Sequence, residues 1–337
     1  MDDQNKNLLL ATALSFLVLI GWMLLFPPEV PNPKQVEEPN LSQEQSKVQA
    51  PSTILSSDVS QNIRDNEIQR VQIETSRLSG SIWLKGGRID DLKLVDYFDE
   101  QKPGSKNVVI LKPSSEEKSY YASYGWTPVS GLSLEDVPNA NTEWSLVSGR
   151  ILSEKNPITL QWKNNNGLIF QRQIAVDENF MFSITQAVLN QSNQNIRIAP
   201  YGIIARHGKP DTIGFYILHE GVVASKDTEL IEQKYKKLPD QPFMQNENGN
   251  VTIHKVEQNG WIGFTDKYWM TTLIPPAGQK FQMASKYTPQ TDTYQTDMRL
   301  PPIEVKSGSE KVMTTSFFAG AKEVNTIKDY QRNLGVE

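Results

Sequence analysis

The sequence predicts a mainly β protein, a large antiparallel β-sandwich, carried on a membrane tether. Apolar and polar residues alternate in short runs from Ile68 to about Phe318, and Gly-Gly and Asn-Gly pairs punctuate those runs. Apart from them stands one uncharged stretch, residues 8–26.

That stretch, LLLATALSFLVLIGWMLLF, begins at Leu8 and ends at Phe26. As a helix rising ~1.5 Å per residue it would span about 28 Å, close to the roughly 30 Å hydrocarbon core of a bilayer. A buried core helix is the other reading of an apolar run, but it suits shorter ones. The only A-x-A, Ala11-Thr12-Ala13, lies inside the run, and the exit is Pro27-Pro28-Glu29, which suits neither processing nor helix continuation. The expectation is an uncleaved signal anchor with Trp22 and Phe26 toward the far interface. Residues 1–7 hold Lys6 and the α-amine against Asp2 and Asp3; acidic residues count little in the positive-inside rule, so this segment is placed in the cytoplasm and the rest outside it.

Residues 27–67 are rich in Pro, Gln, Ser and Glu, with isolated apolar residues. Such a segment buries too little surface to offset the entropy of ordering, so it reads as a disordered linker.

The β-sandwich is expected over 68–320. IQRVQIET and SGSIWLKGGRIDDLKLVDYF open it, with Ile82, Leu84, Ile89, Leu92 and Leu94 near period 2 on either side of Gly86-Gly87. ITLQWKNN runs through Asn166-Gly167 into LIFQRQIAV, a hairpin for which the pair predicts a type I′ turn. FMFSITQAVLN and IRIAPYGIIA, flanking residues 191–195, read as another hairpin, and Asn248-Gly249 and Asn259-Gly260 mark further turns. This many strands favours two sheets packed face to face. Two segments read as helix: ELIEQKYKKL (229–238), a charged surface excursion, and AKEVNTIKDYQRNL (321–334), amphipathic and leading out of the sandwich to residue 337. In the second, Val324, Ile327, Tyr330 and Leu334 recur at helical spacing, with Gly335 as C-cap. Their stripe either meets a partner or packs on the sandwich.

Composition removes several function classes. With 34 basic against 39 acidic residues and a net charge of −5 there is no electrostatic footprint for nucleic acid. The chain has no cysteine, hence no disulfide framework and no thiol site. His207, His219 and His254 fall in no metal-ligand spacing. GIIARHGK ends like a phosphate loop but has five intervening residues and Pro210 where Ser or Thr belongs, so it reads as strand and turn. Asp90-Asp91 and Asp99-Glu100 form no working carboxylate pair, since neighbours in a strand point to opposite faces, and read as solvated turn residues. The aromatic residues Trp261, Phe264, Tyr268 and Trp269 either line a cleft or fill the core.

The segment holding them, GWIGFTDKYWMTTLIP, is similar to the signature run in the periplasmic domain of the YidC membrane protein insertases of Gram-negative bacteria. The opening residues 1–27 resemble that family's first transmembrane segment, and GSIWLKGGRIDDLKLVDYFD resembles its GSI-x-L-x-G-x-RIDDL strand pair. FFAGAKEVNTIKDY resembles the aromatic-GPK segment that opens its helical exit, with Ala321 where the family often has Pro. The resemblance implies a supersandwich like the galactose mutarotase fold, whose C-terminal helix leads toward a second transmembrane segment. It also implies that this chain is the N-terminal part of a longer protein whose five-helix membrane core does the inserting. The implied location is the bacterial inner membrane, with the bulk of the chain in the periplasm. The implied partners are membrane lipid, the Sec translocon with its accessory subunits, and nascent inner-membrane proteins through that core. No catalytic residue, cofactor or metal is implied. A different class of function, a membrane-tethered sugar-binding or aldose-epimerase-like domain, would draw on His207, His219 and Glu220, candidates by residue type only.

Overall fold

The computed structural model describes residues 70–212 and 218–335. The expected anchor with Leu8, Trp22 and Phe26, and the linker over 27–67, lie outside the described residues. Among the described residues, no helix is long and apolar enough to cross a membrane.

Strand alternation places one face of each strand inward, and two sheets result. The larger has twelve strands and runs in the order Phe243–Met244, Gly249–Val256, Phe281–Thr288, Thr293–Arg299, Ile196–His207, Tyr120–Ser130, Arg88–Phe98, Leu78–Trp83, Arg70–Glu74, Ile151–Leu152. Ile303–Val305 pairs beside Ile196–His207, and Asn107–Leu111 beside Arg88–Phe98. The smaller sheet has nine strands, in the order Glu229–Lys234, Gly221–Lys226, Gly260–Thr265, Trp269–Ile274, Glu310–Ala321, Met181–Asn190, Leu168–Val176, Ile158–Lys163, Ser145–Ser148. Among the described strand pairs all are antiparallel except Arg70–Glu74 with Ile151–Leu152.

The core lies between the sheets. Trp126 of the larger sheet meets Phe170 of the smaller at 6.5 Å, and Tyr120 meets Phe264 edge-on at 6.2 Å. In Leu168–Val176 the inward positions are Leu168, Phe170, Arg172, Ile174 and Val176, so period 2 carries an arginine into the core. Arg172 is 1% exposed; it donates to the Gly87 carbonyl at 2.8 Å and to the Tyr124 carbonyl, and lies 4.6 Å over the Trp144 ring. It thus bonds one sheet to the backbone of the other. Burial pulls its guanidinium down to about 10.

Four expectations are corrected. Residues 229–238 form no helix: Glu229–Lys234 is an edge strand on Gly221–Lys226, followed by a short 3-10 turn, Tyr235–Lys237. Pairing along the whole of Gly221–Lys226 outweighs the helical spacing of Ile231, Tyr235 and Leu238, and Tyr235 is buried and stacks on Phe264 at 5.6 Å. Met181–Asn190 and Ile196–His207 belong to different sheets and form no hairpin. The loop between them wraps buried Asn190, whose amide donates to Gln194 O at 2.7 Å and to Val305 O in the opposite sheet at 3.0 Å, so the chain steps across. The Asn166-Gly167 hairpin forms without a type I′ turn: of the pair only Gly167 has positive φ (82°), because Asn164 Oδ1 accepts from the backbone N–H of Asn166 and of Leu168, both at 2.9 Å, in a wider loop. Asp90 is no solvated turn residue. It sits fully buried in Arg88–Phe98, paired with Arg70, and burial pushes its carboxyl up despite that partner.

Candidate functional site

The aromatic segment folds as two paired strands, Gly260–Thr265 and Trp269–Ile274, joined by a turn that Asp266 N closes on Trp269 O at 2.9 Å. Alternation splits the four aromatic candidates. Phe264 is core at 1% exposure, and Tyr268 is 55% exposed at the turn. Trp269 is half-buried at the sandwich rim, edge-on to Tyr97 at 5.2 Å, while half-buried Trp261 lies on the outer face of the smaller sheet.

On that outer face lies the helix α1, Val324–Leu334. Ile327, Tyr330 and Leu334 turn toward the sheet and line an apolar groove with Trp261, Met270 and Phe318. Val324, one turn earlier, is 65% exposed. The sheet receives three members of the stripe and leaves the fourth to solvent. Gly335 ends the helix at φ 64°, donating its N–H to Gln331 O.

Polar bonds fix both halves of α1. At its start the Glu323 carboxylate accepts from Arg77 Nη2 at 2.5 Å and Nη1 at 3.1 Å, from Tyr97 Oη at 2.6 Å and from Thr326 Oγ1 at 2.8 Å. An anion here also suits the positive end of the helix dipole. The Arg77 bonds, reinforced by those from Tyr97 and Thr326, hold the carboxyl down to about 2. In the third turn Tyr330 donates to Asp177 Oδ2 at 2.6 Å, accepts from Phe180 N at 3.1 Å and packs edge-on against Phe318 at 5.9 Å. Burial pushes its hydroxyl pKa up. Both attachments converge on one loop, because Arg77 also donates to Asn179 Oδ1 at 3.1 Å and lies 4.2 Å over the Phe180 ring. Sequence reading found the stripe and missed Arg77, Tyr97, Asp177 and Glu323. An acidic residue just before the helix is a legible capping signal; partners hundreds of residues away have none.

The three sugar-chemistry candidates each meet different partners. His207 is buried, 3.0 Å from Thr293 Oγ1 and stacked on Tyr121 at 5.8 Å, and burial lowers its pKa. His219 Nε2 instead lies 2.7 Å from the Val222 carbonyl, and Glu220 is among the charges acting on Lys322.

Residues 70–336 match the family model described as the YidC periplasmic domain. A protein named membrane protein insertase YidC from Dinoroseobacter shibae is 48% identical over 353 residues, covering 100% of this chain and 57% of that protein. The like-named protein of Cereibacter sphaeroides is 46% identical over 344 residues, covering 100% of this chain and 54% of its own length. The chain thus spans about half the length of the curated relatives it matches. Similar solved structures include a galactose mutarotase related enzyme from Lactobacillus acidophilus, 13% identical, covering 74% of this chain and 97% of that one at a TM-score of 0.49. A galactose mutarotase-like protein from Lactobacillus casei is 9% identical, covering 74% and 99%, also at 0.49.

Proposed function

Because the chain belongs to the YidC periplasmic-domain family, we propose that it is the N-terminal part of an insertase that aids the insertion, folding and assembly of inner-membrane proteins, alone or beside the Sec translocon. The match over residues 70–336, with whole-chain relatives named as insertases, carries this reading. In it, residues 8–26 anchor the chain in the inner membrane and the sandwich stands in the periplasm as a binding and scaffolding element, not a catalyst. Nascent chains are handled by the membrane core of the whole protein. This part contributes contact surfaces to that core and to translocon-associated subunits through α1, where Val324 is exposed for contact and Ile327, Tyr330 and Leu334 seat the helix on the sheet.

Docking of α1 decides how this is tested. Charging Ile327 or Tyr330 would also unseat the helix, whereas Val324 is exposed and bears no docking load. In the full-length protein, Val324→Glu is expected to impair complementation of an insertase-depleted strain at normal protein levels. Ile327→Glu and Tyr330→Glu are expected to impair it further. Full complementation by all three variants would remove the contact role of α1.

A further inference from the structure

At the rim of the sandwich beside Trp269, a cavity of about 220 Å³ opens between the two sheets. Its wall mixes charge with apolar surface: Lys112, Lys118, Arg206, Asp211 and Asp266 line it with Ile110, Tyr120, Trp269 and Met270. Two of the cations are matched. Lys118 pairs with Asp211 at 2.7 Å, and Arg206 Nη1 reaches both oxygens of Asp266 at 2.9 and 3.0 Å. Lys112 is the third cation, and among the described residues no carboxylate lies within ion-pairing distance of it. The lining therefore holds three positive groups against two negative ones.

Arg206 has further donors to give. Among the described residues its hydrogen bonds all leave from Nη1, the third going to Tyr235 Oη at 2.7 Å, and Nε and Nη2 meet no acceptor there. The guanidinium carbon lies 4.5 Å from the centre of the Tyr120 ring and 5.5 Å from that of Tyr235, with the side chain 15% exposed. A planar donor edge and an ammonium that feels Asp211 without forming an ion pair with it line the same cavity, an arrangement that carboxylates recognise. The volume is below the ~300–1,000 Å³ usual for pockets of drug-sized ligands, so the occupant is of side-chain or fragment size.

We propose that this cavity binds a carboxylate carried on an apolar or aromatic body, its oxygens taken by Lys112 and the free edge of Arg206 and its body by Trp269, Met270 and Ile110. A free small acid and an acidic side chain of a protein segment share that chemistry.

The test uses the whole chain in detergent, ¹⁵N-labelled at tryptophan, with the Trp269 indole resonance assigned from Trp269→Phe. Two matched probe pairs are titrated: phenylacetate against phenylacetamide, and N-acetyl-Phe-Glu-amide against N-acetyl-Phe-Gln-amide. The expected result is saturable movement of the Trp269 signal with the acid of at least one pair and not with its amide. Lys112→Gln should weaken that binding about fivefold or more, the scale of one charge-assisted bond near the surface, and Lys112→Arg should retain it. The remaining indole signals report that each variant is folded. Response to phenylacetate assigns the site to free acids, and response to the peptide alone assigns it to a protein segment. Equal responses to acid and amide in both pairs, no response to any probe, or unchanged binding in Lys112→Gln would overturn the proposal.

Discussion

Arg77 and Glu323, 246 residues apart, are joined by two hydrogen bonds of 2.5 and 3.1 Å, and through them the turn after the first described strand holds the start of the last helix. No residue of α1 is fully buried, so its position rests on polar attachment as much as on apolar contact. The Arg77 side chain is 19% exposed and that of Glu323 29%, so the pair is neither freely solvated nor dry.

Removing one partner leaves the other partly buried with its donors or acceptors unmet. Glu323→Gln is expected to lower the free energy of α1 docking by roughly 1–3 kcal/mol, with the sandwich still folded. Amide exchange along Val324–Leu334 should rise while exchange in Leu168–Val176 stays unchanged. A double-mutant cycle with Arg77→Met should show coupling; strict additivity would mean that the ion pair contributes nothing to docking.

Acid should release the same helix. The folded Glu323 carboxyl sits at about 2 against an ordinary value of 4.5, so the folded state binds this proton more weakly than the unfolded state. Its contribution is therefore complete above 4.5, shrinks as pH falls below that value and is gone once pH passes through about 2. Protection of the α1 amides, taken relative to their intrinsic exchange rate at each pH, should fall between those limits in the native chain and fall less in Glu323→Gln.

Arg172→Met keeps much of the volume but strands the carbonyls of Gly87 and Tyr124 between the sheets. A loss of about 2–4 kcal/mol is expected in urea unfolding, because each buried acceptor forfeits its partner. A neutral result would show that the intersheet carbonyls find other donors.

Gly263 tests backbone proximity within the aromatic segment. A Cβ there would strike the Thr271 carbonyl on the paired strand, an atom that cannot move without its ladder. Gly263→Ala should cost roughly 1–3 kcal/mol or more and broaden the Trp269 indole signal through displacement of the Trp269–Ile274 strand.

Period 2 in LIFQRQIAV, the Gly86-Gly87 turn and the amphipathic spacing after Ala321 were legible because each depends on neighbours within a few residues. Misreadings arose where local signals were outweighed. At 229–238 residue type and spacing favour a helix, and pairing with Gly221–Lys226 overrides them by supplying backbone partners. The polar loop after Asn190 looked like a hairpin until the Asn190 amide bonded the opposite sheet at Val305.

The sequence by itself determined the β class, most strand positions, the C-terminal helix with its cap at Gly335 and the family resemblance, since these follow from residue type and spacing along the chain. Only the tertiary structure decided that Asp90 and Arg172 are buried, that Val324 faces solvent while Ile327, Tyr330 and Leu334 face the sheet, and that Arg77 meets Glu323. It alone brought Lys112 and Arg206 to one cavity. Burial and charge pairing depend on which distant strands become neighbours, and that is a property of how the two sheets close on each other.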